Sequence, residues 1–392
     1  MEPVLRISGR GSLTITIQGP TSGQANLLRE IIRSSDSGAG LGAAPSLLEE
    51  NRPCSPSLTS SATALTGTPR ELKRLARFFA SHRGLPVGLS EKIDSLLDNY
   101  LRSDYKITSR GKVLDLGLRT HLMGVLNVTP DSFSDGGLYA GTERALAHAR
   151  EMAAAGADII DIGGESTRPG AEPLSEEEEL SRIIPVIERL SAELPVPLSV
   201  DTYKATVARE ALAAGASIVN DISGLRFSPD MAKTAADYGA AVVIMHIQGT
   251  PRDMQQHPVY ADVIGEIMEY LAQGIELAVK AGVDREKTLI DPGIGFGKTL
   301  EHNLEILNRL DEFKGLGRPI VLGTSRKRFI GAVLNIPAPE QRVDGTAATV
   351  ALGIERGARI VRVHDVGRMA QVARMTDAIV KASTKSQAPN HK

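Results

Sequence analysis

After Lys112, short apolar runs recur along the chain with helix-length segments between them. The runs are Leu122–Leu126, Ile159–Ile162, Pro197–Val200, Ser217–Val219, Ala241–Met245, Thr288–Ile290, Pro319–Leu322 and Arg359–Val363. Glu143–Ala155, Glu177–Leu190, Tyr203–Ala214 and Ile264–Lys280 are among the segments that separate them. Strands alternating with helices pair in parallel, because each helix carries the chain back to the start of the next strand. Eight such units before Lys392 predict a (β/α)8 TIM barrel over residues 106–392. A doubly wound open sheet shares this periodicity.

The polar residues at the strand ends favour the barrel. Asn127, Asp161, Asp201, Asn220, His246, Asp291, Ser325, Arg362 and His364 all fall at or just after the C-terminal end of a predicted strand. A closed barrel converges those positions on one mouth, whereas an open sheet leaves the outer ones far apart. Asp201, Asn220 and Asp291 offer acceptors, and Asn220 adds an amide donor. Such a wall suits a planar nitrogen heterocycle with an exocyclic amine and ring N–H groups. Capping of the following helices is the plainer role for any single one of them.

Arg168, Lys327, Arg362 and His364 add positive or potentially positive charge. In Ile360-Val361-Arg362-Val363-His364 the alternation puts both polar side chains on one face of an apolar strand. With Asn127 and the loop Gly293–Lys298 they could hold a phosphorylated group. The glycines of that loop lack a full nucleotide fingerprint and suit turns equally well. His246 and His364 do not make a zinc pattern. Amide and carboxylate oxygens suit Mg²⁺, which keeps waters and binds through substrate phosphates.

The first hundred residues have a different texture. Ser12–Gln18 alternates hydroxyl and apolar residues like a half-buried strand, and Ser22–Ser34 has apolar residues at helical spacing. Residues 35–61 are rich in Ser, Gly, Ala and Pro and predict a flexible loop. A short strand near Ala62–Leu65 precedes helices over Pro69–His82 and Ser90–Leu101, with Pro69 suited to the first helical position and Ser90 to a cap. A small α/β accessory domain over residues 1–105 is expected.

Composition removes several function classes. The formal charge is -2 from 45 basic and 47 acidic residues, so no basic excess invites nucleic acid. Tryptophan is absent and aromatics make up 4%, which is poor material for stacking bases. The single cysteine, Cys54, permits neither an internal disulfide nor a thiolate cluster. No run approaches a membrane span and no basic-then-apolar leader opens the chain, so a cytoplasmic protein is expected.

Seven stretches together resemble one enzyme family. They are Leu122–Gly137, Asp161–Gly170, Ser199–Thr202 with Asn220-Asp221, Asp291–Lys298, Ser325–Lys327 and Arg362–Asp365. In this order, across nearly all of residues 112–380, they are similar to the motifs of dihydropteroate synthases. The resemblance implies a TIM barrel that joins 6-hydroxymethyl-7,8-dihydropterin diphosphate to 4-aminobenzoate and releases pyrophosphate, with Mg²⁺. It implies a pterin pocket of Asp201, Asn220, Asp291 and Lys327, and a pyrophosphate site of Asn127, Arg168, Arg362 and His364. Asn127 would also help to place the Mg²⁺. Thr167, Arg168, Phe296 and Ser325 would belong to the aminobenzoate side and its loop, and the assembly would be a homodimer. Lys327, Arg362, His364 and Asp201 would carry the catalysis. Arg362 is then expected to matter more for turnover than for binding an unphosphorylated pterin. Two alternatives share the pterin wall: a methyltetrahydrofolate-dependent corrinoid methyltransferase and a non-catalytic pterin-binding protein. The methyltransferase has no reason to keep Thr167–Gly170, Ser325–Lys327 and the Arg362/His364 pair together, and intact candidate groups for both substrates argue against the non-catalytic protein.

Overall fold

The computed structural model describes residues 4–9, 13–18, 24, 27–28, 46–48, 62–80, 84–129, 137–166 and 172–386. The chain divides into two compact units. One is Met1–Arg102 with Asp311–Gly317, and the other is Ser103–Leu310 with Arg318–Lys392.

The first unit is a four-stranded antiparallel sheet with two helices. Strands β1 (Val4–Ser8), β2 (Leu13–Gln18), β3 (Ser46–Leu48) and β4 (Ala62–Gly67) lie in the order β1-β2-β4-β3. The alternation in β2 buries Leu13, Ile15 and Ile17 while Thr14 and Thr16 stay half-buried. These residues share a core with Leu72, Leu75 and Phe79 of α1 (Pro69–Ala80) and Ile93 and Leu97 of α2 (Leu89–Leu101). Helix α1 opens on a reciprocal cap. The Thr68 N–H donates to Glu71 Oε2 at 2.8 Å, and the Glu71 N–H donates to Thr68 Oγ1 at 3.3 Å.

Ser90 does not cap α2. The helix begins one residue earlier, after Gly88 with φ 77°, and no side chain caps it. Burial of Leu89, 2% exposed, draws the first turn forward and leaves Ser90 inside it. The sequence pattern also gave no sign of β1 or β3. Of the helix expected over residues 22–34, Gln24, Leu27 and Leu28 are helical and Leu28 is fully buried. The rest of that stretch, and residues 35–61 apart from β3, lie outside the described residues.

The second unit is a closed parallel barrel. Its strands are β7 (His121–Asn127), β8 (Ile159–Gly163), β9 (Leu198–Asp201), β10 (Ile218–Asp221), β11 (Ala241–Met245), β12 (Thr288–Asp291), β13 (Ile320–Leu322) and β14 (Ala358–Val363). They follow one another in sequence order, and β14 returns to pair with β7. Around them run α3 (Gly137–Ala154), α4 (Glu176–Glu193), α5 (Ala205–Ala214), α6 (Met231–Asp237), α7 (Val263–Lys280), α8 (Leu300–Asn308), α9 (Arg328–Leu334), α10 (Val343–Glu355) and α11 (Val366–Ser386). No helix among the described residues is long and apolar enough to cross a membrane.

A hairpin absent from the sequence expectations closes one end. Strands β5 (Lys106–Ser109) and β6 (Lys112–Asp115) turn through Arg110 and Gly111, both at positive φ, as a tight hairpin requires. Tyr105, Ile107, Leu114 and Leu116 pack into the lowest barrel layer beside Met123, Ile159, Ile218, Val243, Leu289 and Ile360. Ser109 Oγ donates to the Ser217 carbonyl at 2.5 Å and accepts from the Ala241 N–H at 3.2 Å. Because these groups lie where β10 and β11 begin, the N-terminal mouth is filled. Among the described residues the hairpin fills that end, which leaves the C-terminal mouth for a ligand.

Candidate active site

Two residues beyond Ile159, Ile218, Leu289 and Ile360 stand Asp161, Asn220, Asp291 and Arg362. A strand period of 2 therefore places these four on the same inward face, one layer above the apolar plug. Asp161 is fully buried. Its Oδ2 accepts from Arg362 Nε at 2.6 Å and from Asn220 Nδ2 at 3.0 Å. Asp201, at the end of β9, accepts from Arg362 Nη2 at 2.6 Å through its own Oδ2. The remaining oxygens, Asp161 Oδ1 and Asp201 Oδ1, are buried without a partner among the described residues.

Arg362 thus has a place that its sequence context did not suggest. Its guanidinium bridges two carboxylates instead of standing clear for a phosphate. The reason is local: inward-facing acids on β8 and β9 would otherwise sit together in a desolvated site. Burial alone would lower the guanidinium pKa, yet Asp161 and Asp201 outweigh it and raise the value. Burial pushes the Asp201 carboxyl up to about 7; Arg362 opposes that rise and Asp161 adds to it.

Asp291 is buried and its Oδ1 accepts from the Gly293 N–H at 2.7 Å. Burial raises its pKa against the pull of Lys327. Burial likewise brings the Lys327 ammonium down to about 8, partly offset by Asp291. Lys327 Nζ donates to the Ile294 carbonyl and lies 4.9 Å from the centre of the Phe296 ring. Gly323 borders this part of the mouth: a Cβ there would lie 3.8 Å from Lys327 Nζ and 3.9 Å from Asp291 Oδ2, in ordinary contact.

The loop after β12 carries Phe296. Gly293 has φ 69°, and a Cβ there would come within 1.9 Å of the His246 carbonyl, so only glycine fits. Lys298 is 3% exposed and ties the loop down, donating to the Phe296 carbonyl and meeting His246 Nδ1, each at 2.9 Å. His246 is therefore beneath the loop, apart from the polar wall. Burial and its neighbouring cation hold His246 well below its usual range.

Ser325 and His364 come together from the last two strands. Ser325 Oγ accepts from the His364 N–H at 3.2 Å and lies 3.0 Å from His364 Nδ1. Asn127 ends β7, half-buried and paired in register with Gly163. Thr167 and Arg168 lie outside the described residues, but the two stems of their segment are described. Lys204 Nζ donates to Glu165 on one stem and to the Leu174 carbonyl on the other at 2.7 Å. It also donates to Glu179 Oε2 on α4 at 2.6 Å, and Tyr203 Oη donates to Glu165 Oε1 at 2.7 Å.

Asp161 was the site residue the sequence reading undervalued. Its signal was available, since it follows Ile159 by one strand period as Asn220 follows Ile218. The lysine-linked stems had no such signal, because Glu165, Leu174, Glu179 and Lys204 are brought together only by tertiary packing. Among the described residues, no group of three or more His, Cys, Asp or Glu side chains could hold a metal ion.

The sequence profile of the pterin binding enzyme family matches residues 123–364, from β7 to just beyond β14. The dihydropteroate synthase of Bacillus subtilis (strain 168) is 53% identical over 274 residues, covering 70% of this chain and 93% of the relative. This chain belongs to the dihydropteroate synthase family. Solved dihydropteroate synthases share the fold. One from Xanthomonas albilineans, solved with 4-aminobenzoic acid, is 45% identical with a TM-score of 0.66, covering 73% of this chain and 100% of its own. Another from that organism, in complex with 7,8-dihydropteroate, is 42% identical with a TM-score of 0.64, covering 72% of this chain and 100% of its own. The match to the pterin-binding profile starts inside β7, so β1 to β6 precede it.

Proposed function

We infer that this enzyme joins 4-aminobenzoate to 6-hydroxymethyl-7,8-dihydropterin diphosphate, giving 7,8-dihydropteroate and pyrophosphate. The observation that carries the reading is the polar layer at the C-terminal ends of β9, β10 and β12, where Asp201, whose Oδ1 lacks a partner among the described residues, stands with Asn220 and Asp291. A pterin edge presents an exocyclic amine and ring N–H groups, the donors such oxygens need. Lys327, largely protonated at neutral pH, can donate to the pterin carbonyl or a ring nitrogen.

In the reaction the methylene carbon–oxygen bond breaks and its electron pair leaves with the diphosphate. The electron-rich dihydropterin spreads the positive charge left on carbon. The arylamine lone pair then forms the carbon–nitrogen bond, and the resulting ammonium loses a proton. We assign Arg362, His364, Arg168 and Asn127 to the diphosphate, where fixed positive charge favours bond cleavage. Arg362 spends Nε and Nη2 on the two carboxylates, and its Nη1 N–H groups are the donors that can meet the diphosphate. Thr167, Arg168, Phe296 and Ser325 are assigned to the aminobenzoate side.

Mg²⁺ fits this site as an ion brought by the diphosphate. Asn127 offers one neutral oxygen, which suits an ion whose other ligands are phosphate and water. Bound there, Mg²⁺ would neutralise charge on the leaving group. A homodimer is the proposed assembly, supported by the exposed apolar side chains of Leu352 on α10 and Met375 and Ile379 on α11. Sedimentation showing only monomer at micromolar concentrations would reject it.

Pyrophosphate release, measured with both substrates and Mg²⁺ and with each omitted in turn, tests the activity. Release that depends on both organic substrates is expected. Pterin binding without release would instead support a non-catalytic protein, and methyl transfer from methyltetrahydrofolate to a corrinoid would support the methyltransferase alternative.

A further inference from the structure

The turn Thr324–Lys327 follows β13, with the Lys327 N–H donating to the Thr324 carbonyl at 3.2 Å. Its third residue, Arg326, has φ 59°. That left-handed conformation is normally left to glycine or asparagine at this position of a turn, because a Cβ crowds the backbone. Arginine there is held from three directions. Its guanidinium makes a two-pronged pair with Asp365, Nε to Oδ2 at 2.9 Å and Nη2 to Oδ1 at 2.6 Å. Its N–H donates to Thr346 Oγ1 at 3.1 Å, and its carbonyl accepts from Arg342 Nη1 at 2.9 Å.

The neighbours on each side give the pair its meaning. Ser325 precedes Arg326 and touches His364, while Lys327 follows it and enters the polar mouth beside Asp291. Asp365 in turn follows His364 directly. The ion pair therefore locks the loop that bears Ser325 and Lys327 to the loop that bears His364. A planar guanidinium gripping both carboxylate oxygens fixes orientation as well as distance, which a lysine cannot do.

We propose that Arg326 and Asp365 are a positioning pair for this reaction, setting Ser325, Lys327 and His364 in register without touching substrate. The proposal rests on the assignment of those three residues to the site.

The test uses the full chain and measures kcat and KM for 4-aminobenzoate, with thermal unfolding alongside. Arg326→Gly removes the pair while suiting the left-handed turn, so the fold survives. Asp365→Asn removes the charge and one acceptor. Each variant is expected to lower kcat/KM about ten- to a hundredfold at an unfolding temperature near that of the parent, the scale at which small misplacements act. Arg326→Lys is expected to recover little of the Arg326→Gly loss. The losses should not multiply when Arg326→Gly is combined with Asp365→Asn or with Ser325→Ala, since all act through one arrangement. Turnover near that of the parent in Arg326→Gly and Asp365→Asn, while Ser325→Ala and Lys327→Ala lose activity, would overturn the positioning role alone. Independent, multiplying losses would also overturn it. If Ser325→Ala and Lys327→Ala are themselves silent, the site assignment falls and takes the proposal with it.

Discussion

Arg362 is a residue whose surroundings change what its removal should do. By the family resemblance, it serves the leaving group and spares pterin binding. In the folded site it neutralises Asp161 and Asp201, and breaking a buried pair from one side costs about 3–5 kcal/mol because the other charge is stranded. Arg362→Ala should therefore lower turnover about 10²-fold or more, and it should also disturb binding of an unphosphorylated pterin analogue. Calorimetric titration of the folded variant decides, with unchanged analogue affinity restoring the narrower role. A pH dependence follows from the same residues. Asp201 accepts best once ionised, above about 7. Lys327 donates best while protonated, below about 8. Analogue affinity should peak between those values and decline on both sides, and a flat profile would remove both groups from the pocket. The sign for stability is set by the raised Asp201 value. The folded protein holds that proton more tightly than the unfolded chain, so the contribution is full under acid conditions and is lost as pH rises through about 7.

The barrel strands were legible because they are largely buried and read as short, mostly apolar runs. Every one begins and ends within two residues of its run. The β5–β6 hairpin was not legible. Its core residues Ile107, Leu114 and Leu116 are spaced among Lys106, Arg110, Lys112 and Asp115, which disperses any apolar signal. The polar wall was readable where a polar residue followed an apolar run. Clasps such as Lys204 with Glu165 and Glu179 were hidden, since each member looks like an ordinary surface charge. That clasp is largely buried, with side-chain exposures of 12%, 8% and 1%. Lys204→Met should cost about 3–5 kcal/mol by leaving two carboxylates face to face. Urea denaturation measures it, and a loss under about 1 kcal/mol would show that the clasp contributes little. Gly293→Ala tests the loop after β12. The added Cβ meets a backbone carbonyl that cannot move aside, so a lower melting temperature and loss of activity are expected. An unaltered melting temperature would show that the loop has another conformation open to it.

The first unit has its own apolar core, drawn from β1, β2, β4, α1 and α2. Amides of Ile15, Ile17 and Leu65 should therefore exchange slowly with solvent, and complete lack of protection would reject a folded unit. Its sequence was only half readable, because β3 is three residues long, Arg6 interrupts the apolar residues of β1, and a long Ser/Gly/Pro-rich stretch lies between β2 and β4. At the scale of the whole chain, the pairing of β14 with β7 has a consequence for biosynthesis. Val361 lies beside Leu122, so the first barrel strand waits for most of the chain to leave the ribosome before it finds its last neighbour. Arg362 and His364 emerge with that same late strand. Closure of the fold and the arrival of these two candidate site residues are one event. A nascent or prematurely terminated chain ending before β14 has two raw strand edges and no guanidinium between its acids. Such a product is expected to fall to chaperones and proteases instead of persisting as a weak enzyme.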